Sequence, residues 1–259
     1  MGKRVWSARF LIEQLFKRDF LAAYKKSFLG IAWIFISPLT GIIAWVFLQK
    51  VGMLNPGELD VPYPAYVLVG TMCWEYFAGS LNSATRTLGA GKSLVMQVNY
   101  PHEAMLIKEV LQFLAHFTLK LILILIILTL FGVIPSWKTI FLPFYGLPLI
   151  LLGSGIGLFL SLFVVISADV MKIVGMGMKL LMWSTPIIYS AKASNETLRL
   201  INEYNPLTYG VCTMRDIILY GRVYGDYQFY YLLAASFIVF FISLRIFYTT
   251  EQQLVEKIW

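Results

Sequence analysis

The sequence predicts an all-α polytopic membrane protein. Six transmembrane helices are expected, with an N-terminal interfacial helix and two short re-entrant or gate helices between spans five and six, all in one domain, 1–259. Three observations predict it. Hydrophobic residues make up 59% of the chain and charged ones 14%, where a soluble domain carries about a quarter charged; mean hydropathy is +0.73. Mostly apolar runs of about 18 residues or more recur along the whole length and leave no stretch for a sizeable water-soluble domain. These runs are too long and too uniformly apolar for tilted barrel strands, and a spanning helix satisfies its own backbone groups.

The elements follow in order. Residues 1–28 hold the interfacial helix: over 4–26, Trp6, Phe10, Phe16 and Phe20 alternate with Arg and Lys, a pattern suited to headgroup depth. Arg9 and Glu13 fall on the same side as Phe16 and Phe20, so a break in this helix or contact with a soluble partner is expected. Residues 29–190 hold spans one to five, at Leu29 to Leu48, Pro64 to Asn82, Leu106 to Phe131, Ile140 to Ile166 and Met171 to Tyr189. Residues 191–228 form the segment before the last span, and 229–259 hold span six, Phe229 to Tyr248, with a short tail. The charged, aromatic N-terminus does not match a cleavable signal peptide, so the first span is expected to be retained.

Charge sets the expected orientation. Lys3, Arg4, Arg9, Lys17, Arg18, Lys25 and Lys26 precede span one, and Arg86 and Lys92 follow span two, whereas Glu58 and Asp60 lie between these spans. Both termini are therefore predicted to face the cytoplasm. The net charge of +7 reads as topogenic and lipid-facing rather than as a nucleic-acid footprint. Cys73 and Cys212 have no accompanying Cys/His cluster, so neither a disulfide framework nor a metal site is expected.

The stretch Arg86 to Val95, RTLGAGKSLV, resembles a phosphate-binding loop, but its first position is arginine where a Walker A loop needs the turn-forming glycine. It also follows a membrane helix rather than a buried strand. It reads instead as a basic connection in which paired glycines break one helix before another starts. Between Ala191 and Gln228, Ser194 or Asn195 can cap one short helix, Asn205 and Pro206 can end it and begin a second, and Gly221 can close that second helix. Leu207, Val211, Met214 and Ile218 form its apolar stripe, with Arg215 and Asp216 away from it; a hairpin lying on the membrane and a pair dipping into it both fit.

Ionisable residues inside spans are few. Glu75 and Lys179 fall at similar depth when counted from their span ends, so the two can pair, and His116 and Lys120 share a face one turn apart. No catalytic constellation is present: neither histidine belongs to a His-Glu-x-x-His helix, and there is no nucleophile elbow or acid/base carboxylate pair. The chain is expected not to be an enzyme.

Three segments carry a family resemblance. RDFLAAYKKSFLGIAWIFISPL resembles the start of the first span in membrane subunits of type-2 ABC exporters for bacterial surface polysaccharide, the O-antigen, capsule and teichoic-acid permeases. The matching positions are Arg18, Asp19, Tyr24, Lys25, Ser27, Leu29, Gly30, Trp33, Pro38 and Leu39. NSATRTLGAGKSLVMQVNYPHEAM is similar to the family's cytoplasmic connection, at Asn82, Ser93, Leu94, Val95, Asn99, Tyr100, Pro101 and Glu103, with Tyr100-Pro101-His102-Glu103 where the family usually has Phe-Pro-Arg-Glu. WSTPIIYS with NPLTYGVCTMRDIILYG resembles the outer end of span five and the loop beyond, at Pro186, Tyr189, Asn205, Pro206, Leu207, Arg215 and Gly221.

The resemblance implies a channel-forming permease that exports lipid-linked polysaccharide, by family pattern O-antigen, across the bacterial inner membrane. Its implied partners are a second copy of itself, two ATP-binding cassette subunits that hold ATP and Mg, and membrane lipids; no cofactor or nucleic acid is expected on this chain. Lys92, Ser93, Asn99, Tyr100, Pro101, His102 and Glu103 become the implied ATPase coupling element, and Pro101 makes a sharp turn into the next helix. Asn205, Pro206 and Arg215 belong to an implied gate over the pore. Trp33, Phe35, Pro38, Tyr66, Trp74, Glu75, Lys179, Trp183, Pro186 and Tyr189 are candidates for the translocation pathway, where aromatic faces and scattered polar groups would let pyranose rings slide. A permease of the same architecture for drugs or lipids, and a membrane-embedded glycan-modifying enzyme, are the alternatives.

Overall fold

The computed structural model describes residues 9–25, 32–87, 102–191 and 195–258. Among them the regular structure is all helical, with no strand: α1 (Arg9–Lys25), α2 (Ala32–Lys50), α3 (Tyr63–Thr85), α4 (His102–Leu130), a 3-10 turn (Trp137–Phe141) running into α5 (Leu142–Tyr145), α6 (Leu147–Val164), α7 (Asp169–Trp183), α8 (Glu196–Tyr204), α9 (Pro206–Leu219) and α10 (Asp226–Ile258).

Among the described residues, helix length and apolar composition alone support three crossings: Ile107–Leu130, Trp137–Val164 and Asp226–Thr250. Leu39–Lys50 is a shorter apolar helix. The stretches expected as spans one and two fall largely on α2 and α3, neither of which is among these three crossings. Span five is shorter than expected, since α7 ends at Trp183 rather than continuing to Tyr189. Pro186 is the reason: it lacks an N–H and drives the residue before it out of helical geometry, so 184–190 turns back on itself.

The core is built around α3, which is buried along nearly its whole length and packs against α2, α4, α6 and α9. Its closest neighbour is α6. A Cβ on Gly153 would meet the Ser80 hydroxyl and lie 2.8 Å from the Phe77 carbonyl oxygen; one on Gly157 would meet the Leu81 carbonyl and lie 2.7 Å from Ala84 Cβ. Gly155, on the opposite face of α6, lets α10 approach so that a Cβ would fall 2.9 Å from Phe240 Cα. Small residues four apart on both sides, Gly153 and Gly157 against Ser80 and Ala84, bring helix backbones together in a way side-chain burial in lipid cannot.

Residues 51–62, 131–147, 184–191 and 195–225 gather at one end of the bundle, where Ser136 N donates to Ile218 O at 2.8 Å and Lys138 Nζ to Gly221 O at 2.8 Å. We term this the capped end. Asn195 Oδ1 accepts from the amides of Thr197 and Leu198 to start α8, and Asn205 Oδ1 accepts from Leu207 N to start α9, with Pro206 at its first position. Gly221, at φ 68°, closes α9 in the left-handed conformation. At 9 and 14 residues, about 14 and 21 Å, neither helix is long enough to cross a hydrocarbon core of ~30 Å by itself.

The apolar stripe expected on α9 is only part of its buried surface. Every residue from Gly210 to Leu219 is buried, Arg215 and Asp216 included. α9 is thus not an amphipathic helix lying on a surface: it is enclosed by α3, α6, α10 and the 3-10 turn, and its charged residues are neutralised inside.

Candidate functional site

The turn after α7 is held from three sides. Arg215, on α9, donates from Nη1 to the Pro186 carbonyl at 2.8 Å and from Nη2 to Cys212 Sγ at 3.2 Å, and its guanidinium lies 4.1 Å from the centre of the Tyr66 ring on α3. The Tyr66 hydroxyl donates to the Tyr189 carbonyl at 3.1 Å, and the Tyr189 hydroxyl donates to Asn202 Oδ1 at 3.1 Å. Asn205 Nδ2 donates to the Ser184 carbonyl and to Thr185 Oγ1, both at 3.0 Å. Finally, Ser190 N donates to the Pro56 carbonyl at 2.8 Å, tying the turn to the first loop.

Five residues singled out from sequence, Tyr66, Pro186, Tyr189, Asn205 and Arg215, therefore meet in one node. Its chemistry is that of a lock: a planar guanidinium, desolvated to 3% exposure, spans a carbonyl, a thiol and an aromatic face, which a lysine ammonium could not do. Asp216, beside it, approaches Arg215 Nε at 3.5 Å and Arg222 Nε at 3.4 Å. Burial raises the Asp216 pKa, against the opposing pull of these two guanidiniums. Cys73 and Cys212 are both buried free thiols.

The remaining pathway candidates are dispersed. Trp183, 53% exposed, makes an edge contact with Trp45 at 5.3 Å between ring centres, so α2 and α7 meet near their capped ends. Trp33 is half exposed on α2, and Lys179 is exposed on α7. Trp74 is buried and packs on Phe77, away from any surface. The side chains of Phe35, Pro38, Tyr24, His102 and Glu103, and the whole of Lys92, Ser93, Asn99, Tyr100 and Pro101, lie outside the described residues; α4 begins at His102.

α7 buries none of its residues. Ile173, Met176 and Leu180 are exposed, and Cβ atoms on Gly175 and Gly177 would meet nothing within 4 Å.

Glu75 does not pair with Lys179. Its partner is Lys120 on α4, 2.7 Å away, beside a cavity of about 270 Å³ that His116, Phe113 and Asn82 also line. The depth count that matched Glu75 with Lys179 serves Lys120 equally, about eleven residues from the far end of span three, but α4 packs extensively against α3 and brings Lys120 to Glu75, whereas Lys179 lies on an exposed position of α7.

α1 is continuous from Arg9 to Lys25, so the expected break is absent. Glu13 pairs with Lys17 on the exposed side, while Phe20 stacks on His116 at 4.9 Å. Lys108 of α4, 4% exposed and missed by sequence reasoning, bridges Asp19 at 2.9 Å and Glu109 at 2.6 Å. Burial alone would raise the Asp19 pKa, but hydrogen bonds and charge from Arg18 and Lys108 outweigh it and leave it lowered. A carboxylate with a lowered folded pKa contributes stability that is complete above its ordinary range and lost as pH falls through the folded value. The protection of amides in residues 9–25, taken relative to their intrinsic exchange rates, is therefore expected to fall as pH drops below the ordinary carboxylate range, and Asp19→Asn to remove that dependence; protection that does not change with pH in the parent protein would refute it.

The profile of the family described as "ABC-2 type transporter" matches residues 11–219. The chain is also similar to three curated proteins called "O-antigen export system permease protein RfbA". Two are from Klebsiella pneumoniae: one is 25% identical over 223 residues, covering 84% of this chain and 83% of the relative, and the other 24% identical over 253 residues, covering 95% and 94%. The third, from Myxococcus xanthus, is 24% identical over 259 residues, covering 99% and 98%.

Proposed function

The chain belongs to the ABC-2 type transporter family, and from that premise we propose that it is the channel-forming permease of an ATP-driven exporter for lipid-linked polysaccharide, with O-antigen as the substrate. Membership makes it a transport subunit of an ABC transporter rather than an enzyme. The observation that carries the substrate is the similarity, over nearly the full length of both chains, to relatives named as O-antigen export permeases.

Two copies form the pore in the bacterial inner membrane, each with six spans and both termini in the cytoplasm. The exposed apolar face of α7 supports this, because Ile173, Met176 and Leu180 have no intramolecular cover and a second copy or the pore itself supplies it. α2 and α7, joined through Trp45 and Trp183, form the wall. Residues 92–103 dock on two ATP-binding cassette subunits, which hold ATP and Mg. Because α4 starts at His102 and carries Lys108, motion of that connection passes to α1 through Asp19 and to α3 through Lys120 and Glu75. At the other end α8 and α9 dip into the membrane as the gate, and the Arg215 node couples them to α7.

Affinity purification of the chain from its own host tests this. An ATPase is expected to co-purify, and deletion is expected to leave glycan inside the cell. Stimulation of that ATPase by small amphiphiles with no glycan phenotype would replace the substrate with drugs or lipids, and ATP-independent turnover by the chain alone would overturn the reading.

A further inference from the structure

The capped end holds a second feature that the pore wall does not use. A cavity of about 820 Å³ opens between the first loop and the end of α9, lined by Glu58, Asp60, Tyr220, Arg222, Tyr224 and the buried node residue Arg215, among others. No residue of α2 or α7 lines it, so it is separate from the proposed pore wall. Its size falls in the range of small-molecule sites, ~300–1,000 Å³.

The lining has a definite chemistry. Glu58 and Asp60 are exposed to the cavity mouth and offer carboxylate oxygens, while Asp216 is committed to Arg215 and Arg222. Arg215 is 3% exposed, yet its Nε makes no hydrogen bond, so a buried donor at the cavity wall is left with a poorly aligned carboxylate 3.5 Å away. A buried donor in that condition is destabilising until a partner reaches it. The Tyr220 ring carries the Arg222 guanidinium at 4.7 Å, and the Tyr224 ring stands 6.2 Å from Tyr209.

The exposed carboxylates of Glu58 and Asp60 and the exposed guanidinium of Arg222, planar groups that can each hold two hydroxyls, are flanked by tyrosine rings and match a neutral polyol. The three carboxylates against two guanidiniums leave the lining slightly negative, which disfavours a phosphate or other anion.

We propose that this cavity is a saccharide-binding site within each protomer, taking a short neutral stretch of glycan at the exit side apart from the pore. The identity of its glycan as cargo rests on the exporter reading; the presence of the site does not. Weak, hydroxyl-directed binding here would hold a segment already across the membrane and oppose its return.

Saturation-transfer NMR on the permease–ATPase complex in nanodiscs tests this, with maltose, methyl mannoside and rhamnose as neutral probes and orthophosphate and glucuronate as charged competitors. Saturable binding of at least one neutral probe is expected, weakened about tenfold or more by the double variant Glu58→Gln/Asp60→Asn, with monodispersity and melting temperature retained. Val223→Trp, which fills the cavity from another side, is expected to abolish it. Binding unchanged by both variants, or no neutral probe bound, or displacement by orthophosphate, overturns the proposal. Glycan trapped on deletion of the chain leaves the exporter reading standing even if no probe binds; absence of trapped glycan removes that reading whatever the cavity holds.

Discussion

Arg215→Leu is expected to destabilise the protein by about 3–5 kcal/mol and to abolish transport. The basis is the position of the guanidinium: it is 3% exposed and serves the Pro186 carbonyl, the Cys212 sulfur, the Tyr66 ring and Asp216 together. Removing one member of a buried ion pair leaves the other charged and desolvated, which costs that much, whereas replacing both by apolar groups is often close to neutral. Arg222 at 3.4 Å is a poor substitute for Asp216, being largely exposed. The double variant Arg215→Leu/Asp216→Leu should therefore recover part of the lost stability, and a non-additivity of about 1 kcal/mol or more is expected from residues sharing one network. Recovery of stability without recovery of transport would separate the structural cost from the role of the node in coupling α9 to the turn after α7. Equilibrium unfolding in detergent measures the first and glycan export the second; a single variant within about 0.5 kcal/mol of the parent would show that the node carries no weight.

Gly157→Ala is the second large effect, and it sets two known terms against each other. Alanine in a helix is favoured over glycine by up to about 1 kcal/mol. Its methyl group, however, would run into the Leu81 carbonyl and lie 2.7 Å from Ala84 Cβ, both fixed parts of α3. Overpacking against atoms that cannot rotate away costs about 1–3 kcal/mol, so the clash prevails and α6 must move off α3. Gly157→Leu should prevent the packed bundle from forming at all. Gly175→Ala is the control, since a Cβ there meets nothing within 4 Å in the protomer and only the propensity gain remains. Equal melting temperatures for the alanine variants at 157 and 175 would refute the close approach.

Some of this was legible early. Asn205, Pro206 and Gly221 are local devices, each working through its own backbone or the next two residues, so the ends of α8 and α9 could be read directly. Tyr66, Pro186, Tyr189 and Arg215 could be listed as candidates, but nothing in their spacing says that they touch, because the contacts join residues from 29 to 149 positions apart. The glycines of α6 were a visible signal that went unused: Gly153 and Gly157 at a spacing of four are a recognised helix-approach pattern in apolar segments.

Composition and hydrophobic run length by themselves determined that this is an all-helical membrane protein, because the cost of an unsatisfied backbone in hydrocarbon permits little else for such runs. Local caps likewise determined where the short helices begin and stop. Which charges pair was decided only by tertiary structure: equal depth allowed Glu75 either Lys120 or Lys179, and the packing of α4 on α3 selected the first. The same holds for α9, whose charged residues looked solvated until the fold enclosed them. Sequence periodicity reports which residues prefer water, but a buried guanidinium is stable only when particular partners from distant segments arrive, and that is a property of the assembled bundle.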